Sequence, residues 1–339
     1  MKKIAINGLG RIGRMVFRIA AESEELDLVA VNASYPAETL AHIINYDTTH
    51  GRWSKRVEPA DDKLIVDGKE ILITRERNPE KLPWGDLGID LVIEATGVFN
   101  HGDKADAHVR AGAKKVLLTG PSKGGDVQTI VLGVNDQELD TAKYDVFSNA
   151  SCTTNCLAPV AKILNDEYGI TNGLMTTVHA YTNDQKNIDN PHKDLRRARS
   201  CGDNIIPTST GAAKALGEVM PELKGKLHGL ALRVPVSNVS LVDLVVDLDK
   251  DVTKEDVNAT FERYAEGEMN GILGVSGDPL VSSDFNTDSR SSIIDSSLTM
   301  VMDDNKVKVL AWYDNEWGYS TRVVDLAKEI LSKSLVSNA

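Results

Sequence analysis

The chain has few cysteines: Cys152, Cys156 and Cys201 are the three in 339 residues. Three thiols make no disulfide framework and suit a reducing compartment. Cys152 and Cys156 lie four residues apart, but no second Cys pair or His pair at ligand spacing accompanies them, so no metal site is expected. Basic residues are also in the minority, 38 Lys and Arg against 50 Asp and Glu, for a formal charge of −12. That balance argues against nucleic acid or an anionic membrane as the partner, since both reward a basic face. A few local cations can still serve an anionic small molecule. No apolar run is long enough to span a bilayer, and no leader pattern precedes the first strand, so the expected location is cytoplasmic. Low-complexity tracts are absent as well. What remains is the composition of a globular protein, 41% hydrophobic and 26% charged, and too long for one ordinary core.

The first half reads as a dinucleotide-binding fold. Lys3-Ile4-Ala5-Ile6-Asn7 is an apolar strand, followed by Gly8-Leu9-Gly10-Arg11-Ile12-Gly13, a helical run through Val16, Phe17, Ile19 and Ala20, and a second strand from Leu26 to Val31. A lone G-x-G-x-x-G is weak evidence, but between strand and helix of a β-α-β unit it has its confirming context. Gly8 permits the tight turn, Gly10 the approach of a pyrophosphate, and Gly13 close packing of helix on sheet. Further strands are expected at Leu91–Ala95, Lys115–Thr119 and Thr129–Leu132, with an exposed helix over His101–Ala113. The predicted fold is α/β: a Rossmann-type doubly wound parallel sheet in residues 1–150, then an α+β domain with a mixed or antiparallel sheet in 151–318. A last amphipathic helix, Thr321–Lys333, presents Val323, Val324, Ala327, Ile330 and Leu331 on one face, and the segment 319–335 is expected to return to the first domain.

A single thiol opens the second half. Ser151 can cap a helix that begins near Cys152 and continues through Leu157, Ala158, Val160, Ala161, Ile163 and Leu164. The positive end of that helix favours a thiolate, the form that attacks carbonyls. Thr208-Ser209-Thr210-Gly211 opens another helix, whose hydroxyls and N–H groups suit an oxyanion. Cys156 is expected to be buried and inert, and Cys201 has no assigned role.

Several longer segments carry a resemblance. They are Ile6–Arg14, Ser148–Asn155, Thr177–Thr182, Asp194–Arg199, Ser209–Lys214, Leu232–Pro235 and Trp312–Tyr319. In this order, along essentially the whole chain, they resemble the phosphorylating glyceraldehyde-3-phosphate dehydrogenase family. The resemblance implies Cys152 as nucleophile and His179 as its base. It implies that Ser151, Thr153, Thr210 and Gly211 hold inorganic phosphate, while Thr182, Arg197 and Arg233 clamp the phosphate of glyceraldehyde 3-phosphate, with Arg199 competing for the place of Arg197. Arg11 and Ile12 would meet the cofactor pyrophosphate, Arg77 and Thr119 other parts of the cofactor, and Asn315 the nicotinamide carboxamide. A homotetramer is implied too, with the polar segment Asn183–Asn204 at a subunit interface.

Two departures bear on the cofactor. Strictly NAD-dependent members carry Asp at the place of Ala33 and Leu at the place of Asn190. Here the second strand ends Val31-Asn32-Ala33-Ser34, with no acid to repel a 2′-phosphate. Asn32 and Ser34 can donate hydrogen bonds there, Arg77 is a candidate cation, and NADP is expected to be preferred over NAD. The alternatives are the NAD-preferring glycolytic form and erythrose-4-phosphate dehydrogenase, which typically lacks the Thr of Ala180-Tyr181-Thr182 and the Ser209-Thr210-Gly211 site. A thiol redox sensor without turnover would be expected to have lost Cys152, His179 or an anion-site residue.

Overall fold

Short runs rich in Ile, Val and Leu build the first sheet. In Lys2–Asn7 and Leu91–Glu94 the central residues Ile4, Ala5, Ile6, Leu91, Val92 and Ile93 are wholly buried, as expected of parallel strands covered on both faces. The computed structural model describes residues 1–336. These fall into two compact units, one formed by 1–130, 137–150 and the chain from Ser320 onward, the other by 131–136 and 151–319.

In the first unit nine strands lie in the order Gln128–Thr129, Val146–Ser148, Lys115–Leu118, Leu91–Glu94, Lys2–Asn7, Leu26–Asn32, Lys69–Thr74, Lys63–Val66 and Val57–Ala60. The first seven pair in parallel, and the last two form an antiparallel edge. Strand order reverses between Lys2–Asn7 and Leu91–Glu94. That switch point leaves a crevice at the strands' carboxyl ends, where Gly8 and Ala95 begin their loops. The final helix, Trp317–Val336, buries Val323, Val324, Leu326, Ala327 and Ile330.

In the second unit the helix Cys152–Tyr168 accompanies a mixed sheet ordered Ile206–Ser209, Leu227–Val234, Ile170–Ala180, Ser240–Leu248, Lys306–Tyr313, Ser292–Asp295 and Leu273–Ser276, with Met300–Met302 on Lys306–Tyr313. The pair Ile170–Ala180 and Leu227–Val234 is parallel, and most of the rest is antiparallel. Residues on Ser240–Leu248 alternate strictly between buried and half-buried, the period of a sheet with one covered face.

Local departures from the sequence reading have local causes. The strand expected at Thr129–Leu132 ends at Thr129, because Val131 turns its N–H to the side chain of Asn135 at 2.9 Å. The short strand Val146–Ser148 was not anticipated. The helix expected over His101–Ala113 spans Gly102–Arg110, and it is not simply exposed, since Ala105 and His108 are fully buried. The last helix starts four residues early because the Asp314 carboxylate accepts the N–H groups of Glu316 and Trp317.

Candidate active site

The thiol is delivered by a strand, a strained turn and a cap. Val146–Ser148 runs into Ala150, whose φ of 53° lies in the left-handed region that a side chain resists. Ser151 then caps the helix, its Oγ accepting the Thr154 N–H at 3.1 Å, and Cys152 is the first helical residue. Thus Ser151, expected at an anion site, uses its hydroxyl on the cap and on Thr154 Oγ1, 2.7 Å away.

His179 lies near the end of Ile170–Ala180, with Nε2 3.7 Å from Cys152 Sγ. Its register partner on the adjacent parallel strand is Arg233. One guanidinium nitrogen of Arg233 sits 2.7 Å from His179 Nδ1 and donates to Ala180 O at 3.0 Å. Burial, then the charge of Arg233 and more weakly of Arg197, depress the imidazole to about 3, so at neutral pH it is an uncharged proton acceptor. Burial pushes the Cys152 thiol up, and Arg233 is the chief influence opposing it.

Tyr313 completes this cluster and was not singled out from sequence. Its buried hydroxyl bonds both Thr153 Oγ1 and Thr177 Oγ1 at 2.8 Å, and its ring meets His179 edge-on at 6.0 Å. Only the fold could reveal it, because Thr153 and Tyr313 are 160 residues apart. The same contact engages the Thr153 hydroxyl. Behind His179, Ala180 N donates to Ser240 Oγ at 3.0 Å, and Ser240 in turn donates to Asn315 Oδ1 at 3.1 Å. The buried amide of Asn315 therefore has a set orientation.

Cationic and hydroxyl groups gather on the flanking elements. Gly211 opens the helix Ala212–Val219 with nothing within 4 Å of where a Cβ would stand, and Thr210 Oγ1 accepts the Ala212 N–H at 3.2 Å. Arg197 donates through Nε to Thr208 Oγ1 at 3.0 Å, through Nη2 to Ser209 O at 3.3 Å, and through Nη1 to Asp184. Arg199 instead donates to Asp189 at 2.7 Å on an exposed rim, so of the two arginines Arg197 is the one near His179. Thr182, three residues past His179, anchors its N–H on Gln185 Oε1 at 3.3 Å. Asn190 is exposed in the folded-back segment 183–204, its N–H bonded to Ala198 O at 2.9 Å. Cys156 is buried and pushed up to about 12, a poor nucleophile. Cys201 is buried as well. Among the described residues no cluster of His, Cys, Asp or Glu could hold a metal ion, and no helix is long and apolar enough to cross a membrane.

In the first unit the switch-point crevice is a cavity of about 570 Å³ whose lining includes Gly8, Gly10, Ser34, Arg77 and Thr96. Gly8 has φ 95°, and a Cβ there would stand 2.9 Å from Thr96 N; a Cβ on Gly13 would stand 2.0 Å from Gly8 O. Gly10 differs: nothing lies within 4 Å of its Cβ position, at the mouth of the helix Arg11–Ala21. A cradle that only a side chain would fill, at the N-terminus of a helix, fits a pyrophosphate. The contact with Arg11 and Ile12 would then come from backbone N–H groups, because the Arg11 guanidinium grips buried Asp47 in a fork. Thr119 Oγ1 donates to Glu94 O at 3.1 Å. Asn32 departs from its expected role: both hydrogens of its amide are used within the protein, on Asn7 Oδ1 and Glu76 O, and neither remains for a phosphate.

A glycine-lined groove at a parallel-sheet switch point, and a thiol–imidazole pair flanked by arginines, define a dinucleotide-dependent oxidoreductase. Residues 2–102 match the family described as glyceraldehyde 3-phosphate dehydrogenase, NAD binding domain, and residues 151–315 match glyceraldehyde 3-phosphate dehydrogenase, C-terminal domain. Proteins named glyceraldehyde-3-phosphate dehydrogenase 2 from Staphylococcus aureus and Staphylococcus epidermidis are each 68% identical over 327 residues, covering 96% of this chain and 95% of theirs. The chain belongs to the glyceraldehyde-3-phosphate dehydrogenase family.

Proposed function

We propose that the protein reversibly converts D-glyceraldehyde 3-phosphate and inorganic phosphate to 1,3-bisphosphoglycerate, with NADP preferred over NAD. The observation that carries this reading is the placement of His179 Nε2 3.7 Å from Cys152 Sγ, with Arg233 behind the ring. His179 takes the thiol proton as Sγ bonds to the aldehyde carbon, then returns it to the carbonyl oxygen, leaving a hemithioacetal on Cys152. As that carbon gives up its hydride, His179 Nε2 removes the hydroxyl proton and the carbonyl re-forms as a thioester. The nicotinamide, when bound, supplies the acceptor for the hydride. An oxygen of inorganic phosphate then attacks the thioester carbon, the C–S bond breaks, and Cys152 is regenerated as the acyl phosphate leaves.

The anion-binding roles follow from the donors available. Arg233, Arg197 and Thr182 take the substrate's own phosphate, the two arginines with forked donors that match its oxygens. Ser151, Thr153, Thr210 and Gly211 border the place for inorganic phosphate. Asn315, with its oxygen held by Ser240, turns its amide hydrogens to the carboxamide. Gly8, Gly10, Arg11, Ile12, Gly13 and Thr119 serve the rest of the cofactor.

The NADP preference rests on Ala33, Ser34, Arg77 and Asn190. Ser34 and Arg77 border one cavity, and Arg77 has no ion-pair partner among the described residues, whereas Arg75 pairs with Asp62. A guanidinium with no ion-pair partner among the described residues, lining the same cavity as a hydroxyl and with no carboxylate at position 33, favours a 2′-phosphate. A homotetramer is the proposed assembly. Leu174 and Leu230 stand 67% and 45% exposed on adjacent strands, and Ile188 and Leu195 of the 183–204 segment are 74% and 81% exposed, which suits burial against further copies.

The test is the initial rate with glyceraldehyde 3-phosphate and phosphate, comparing kcat/KM for NADP and NAD. Faster turnover with NADP supports the whole reading, and faster turnover with NAD removes the cofactor preference alone. Activity on erythrose 4-phosphate without activity on glyceraldehyde 3-phosphate transfers the case to that alternative. Cys152→Ser should lower phosphate-dependent turnover by at least about 10⁴-fold, and retained activity would remove Cys152 as the nucleophile.

A further inference from the structure

We infer that Asn32 is a positioning residue that sets selectivity for a 2′-phosphorylated adenosine by fixing the segment that carries Arg77, an inference that rests on the NADP reading above. Asn32 closes the strand Leu26–Asn32 and uses its entire hydrogen-bonding capacity. Its Nδ2 donates to Asn7 Oδ1 at 2.7 Å and Glu76 O at 2.8 Å. Its Oδ1 accepts from Glu76 N and from Thr74 Oγ1, both at 3.0 Å. One side chain thus grips both backbone groups of the residue before Arg77, while Ala33 N bonds Thr74 O at 3.0 Å and fastens the neighbouring strand end.

The grip has a firm origin. Asn7 donates to the buried Glu94 carboxylate, which also accepts from Thr96 N at 2.8 Å and lies 2.9 Å from His108 Nε2. Trp84 Nε1 donates to His108 Nδ1 at 3.0 Å, which leaves Nε2–H to face Glu94. A polar chain therefore runs Trp84, His108, Glu94, Asn7, Asn32, Glu76, from the core to the carboxyl ends of Leu91–Glu94, Lys2–Asn7 and Leu26–Asn32. Trp84, His108 and Glu94 are fully buried. At its far end is the exposed Arg77 guanidinium, without an ion-pair partner among the described residues, lining the same cavity as Ser34. Fixing the backbone at Glu76 lowers the ordering that Arg77 must undergo on meeting a phosphate. A 2′-hydroxyl, with no charge for Arg77, gains little from this.

The test is equilibrium binding of adenosine 2′,5′-bisphosphate and of 5′-AMP, which differ only in the 2′-phosphate, by calorimetry, to the full-length protein and its Asn32→Ala, Arg77→Ala and double variants. The wild type should favour the 2′-phosphorylated probe. Asn32→Ala should weaken that probe about tenfold and 5′-AMP by less than about twofold, with the double variant no worse than Arg77→Ala, the signature of two residues acting through one contact. Thr74→Val, which removes one bond to Asn32, should shift selectivity the same way by about threefold and serves if Asn32→Ala does not fold. Full selectivity in Asn32→Ala, or in Thr74→Val where that variant replaces it, overturns the positioning role and leaves the NADP reading standing. Equal weakening of both probes also overturns it. A wild type indifferent to the 2′-phosphate overturns both.

Discussion

Arg233 and His179 face each other as register partners on parallel strands, and the guanidinium touches the ring nitrogen that points away from Cys152. This one contact places a fixed positive charge behind the proposed base. It disfavours a second positive charge on the imidazole and opposes the rise that burial imposes on the thiol. A residue proposed to hold substrate phosphate thereby also tunes the acid–base pair.

Arg233→Gln separates those two effects. Alkylation of Cys152 by iodoacetamide needs no substrate, so it reports the thiolate alone. Loss of the charge should slow alkylation at pH 7 roughly tenfold, the scale of one unit charge acting through a partly screened medium. In the same variant KM for glyceraldehyde 3-phosphate should rise. Unchanged alkylation with a raised KM would leave Arg233 as a phosphate ligand only.

The glycines of the first turn divide into two kinds. Gly8→Ala forces a side chain onto φ 95° and against the Thr96 backbone, and should destabilise the protein by about 2 kcal/mol or more. Gly10→Ala meets no protein atom and has φ −69°, which alanine tolerates. It should leave the melting temperature unchanged yet weaken dinucleotide binding at least about tenfold, because the methyl enters the space assigned to the pyrophosphate. Thermal melts and a dinucleotide titration distinguish them. Unweakened binding in Gly10→Ala would move the pyrophosphate elsewhere.

Much of this was legible from local spacing. The turn Gly8–Gly13 and the cap at Ser151 depend on residues a few positions apart, and such patterns can be read directly. What could not be read depends on contacts closed by the fold. Tyr313 reaches Thr153 from a strand 160 residues further along the chain, Asp184 occupies one arm of Arg197, and Asp47 occupies Arg11. Asn32 reads from sequence as a phosphate ligand, and only the register of three strands shows where both amide hydrogens go. The strand Val146–Ser148 is three residues long, too short to carry a periodicity of its own.

Ala33→Asp tests the cofactor argument from the opposite side to Asn32. A carboxylate at the end of Leu26–Asn32 would stand near Ser34 and repel a 2′-phosphate while accepting a ribose hydroxyl. The ratio of kcat/KM for NADP over NAD should fall by about 100-fold, since like charges brought together cost several kcal/mol. A constant ratio would mean that the 2′ position lies away from residue 33.

The depressed imidazole of His179 makes a prediction about stability that needs no substrate. Its folded value is about 3 against an ordinary 6.5, because burial and neighbouring arginines disfavour the charged ring. Above pH 6.5 the ring is neutral in both folded and unfolded chains and the full stability is present. As pH falls from 6.5 towards 3, the unfolded chain binds a proton that the folded protein refuses, and stability is lost. Between pH 7 and pH 5 this single group should remove about 2 kcal/mol. His179→Gln cannot titrate, so the difference in unfolding free energy between wild type and variant should shift by that amount over the interval, other groups cancelling in the comparison. Urea unfolding at the two pH values measures it. Parallel pH dependence in both proteins would show that the His179 ring titrates normally in the folded state, and the neutral base of the proposed mechanism would lose its structural support.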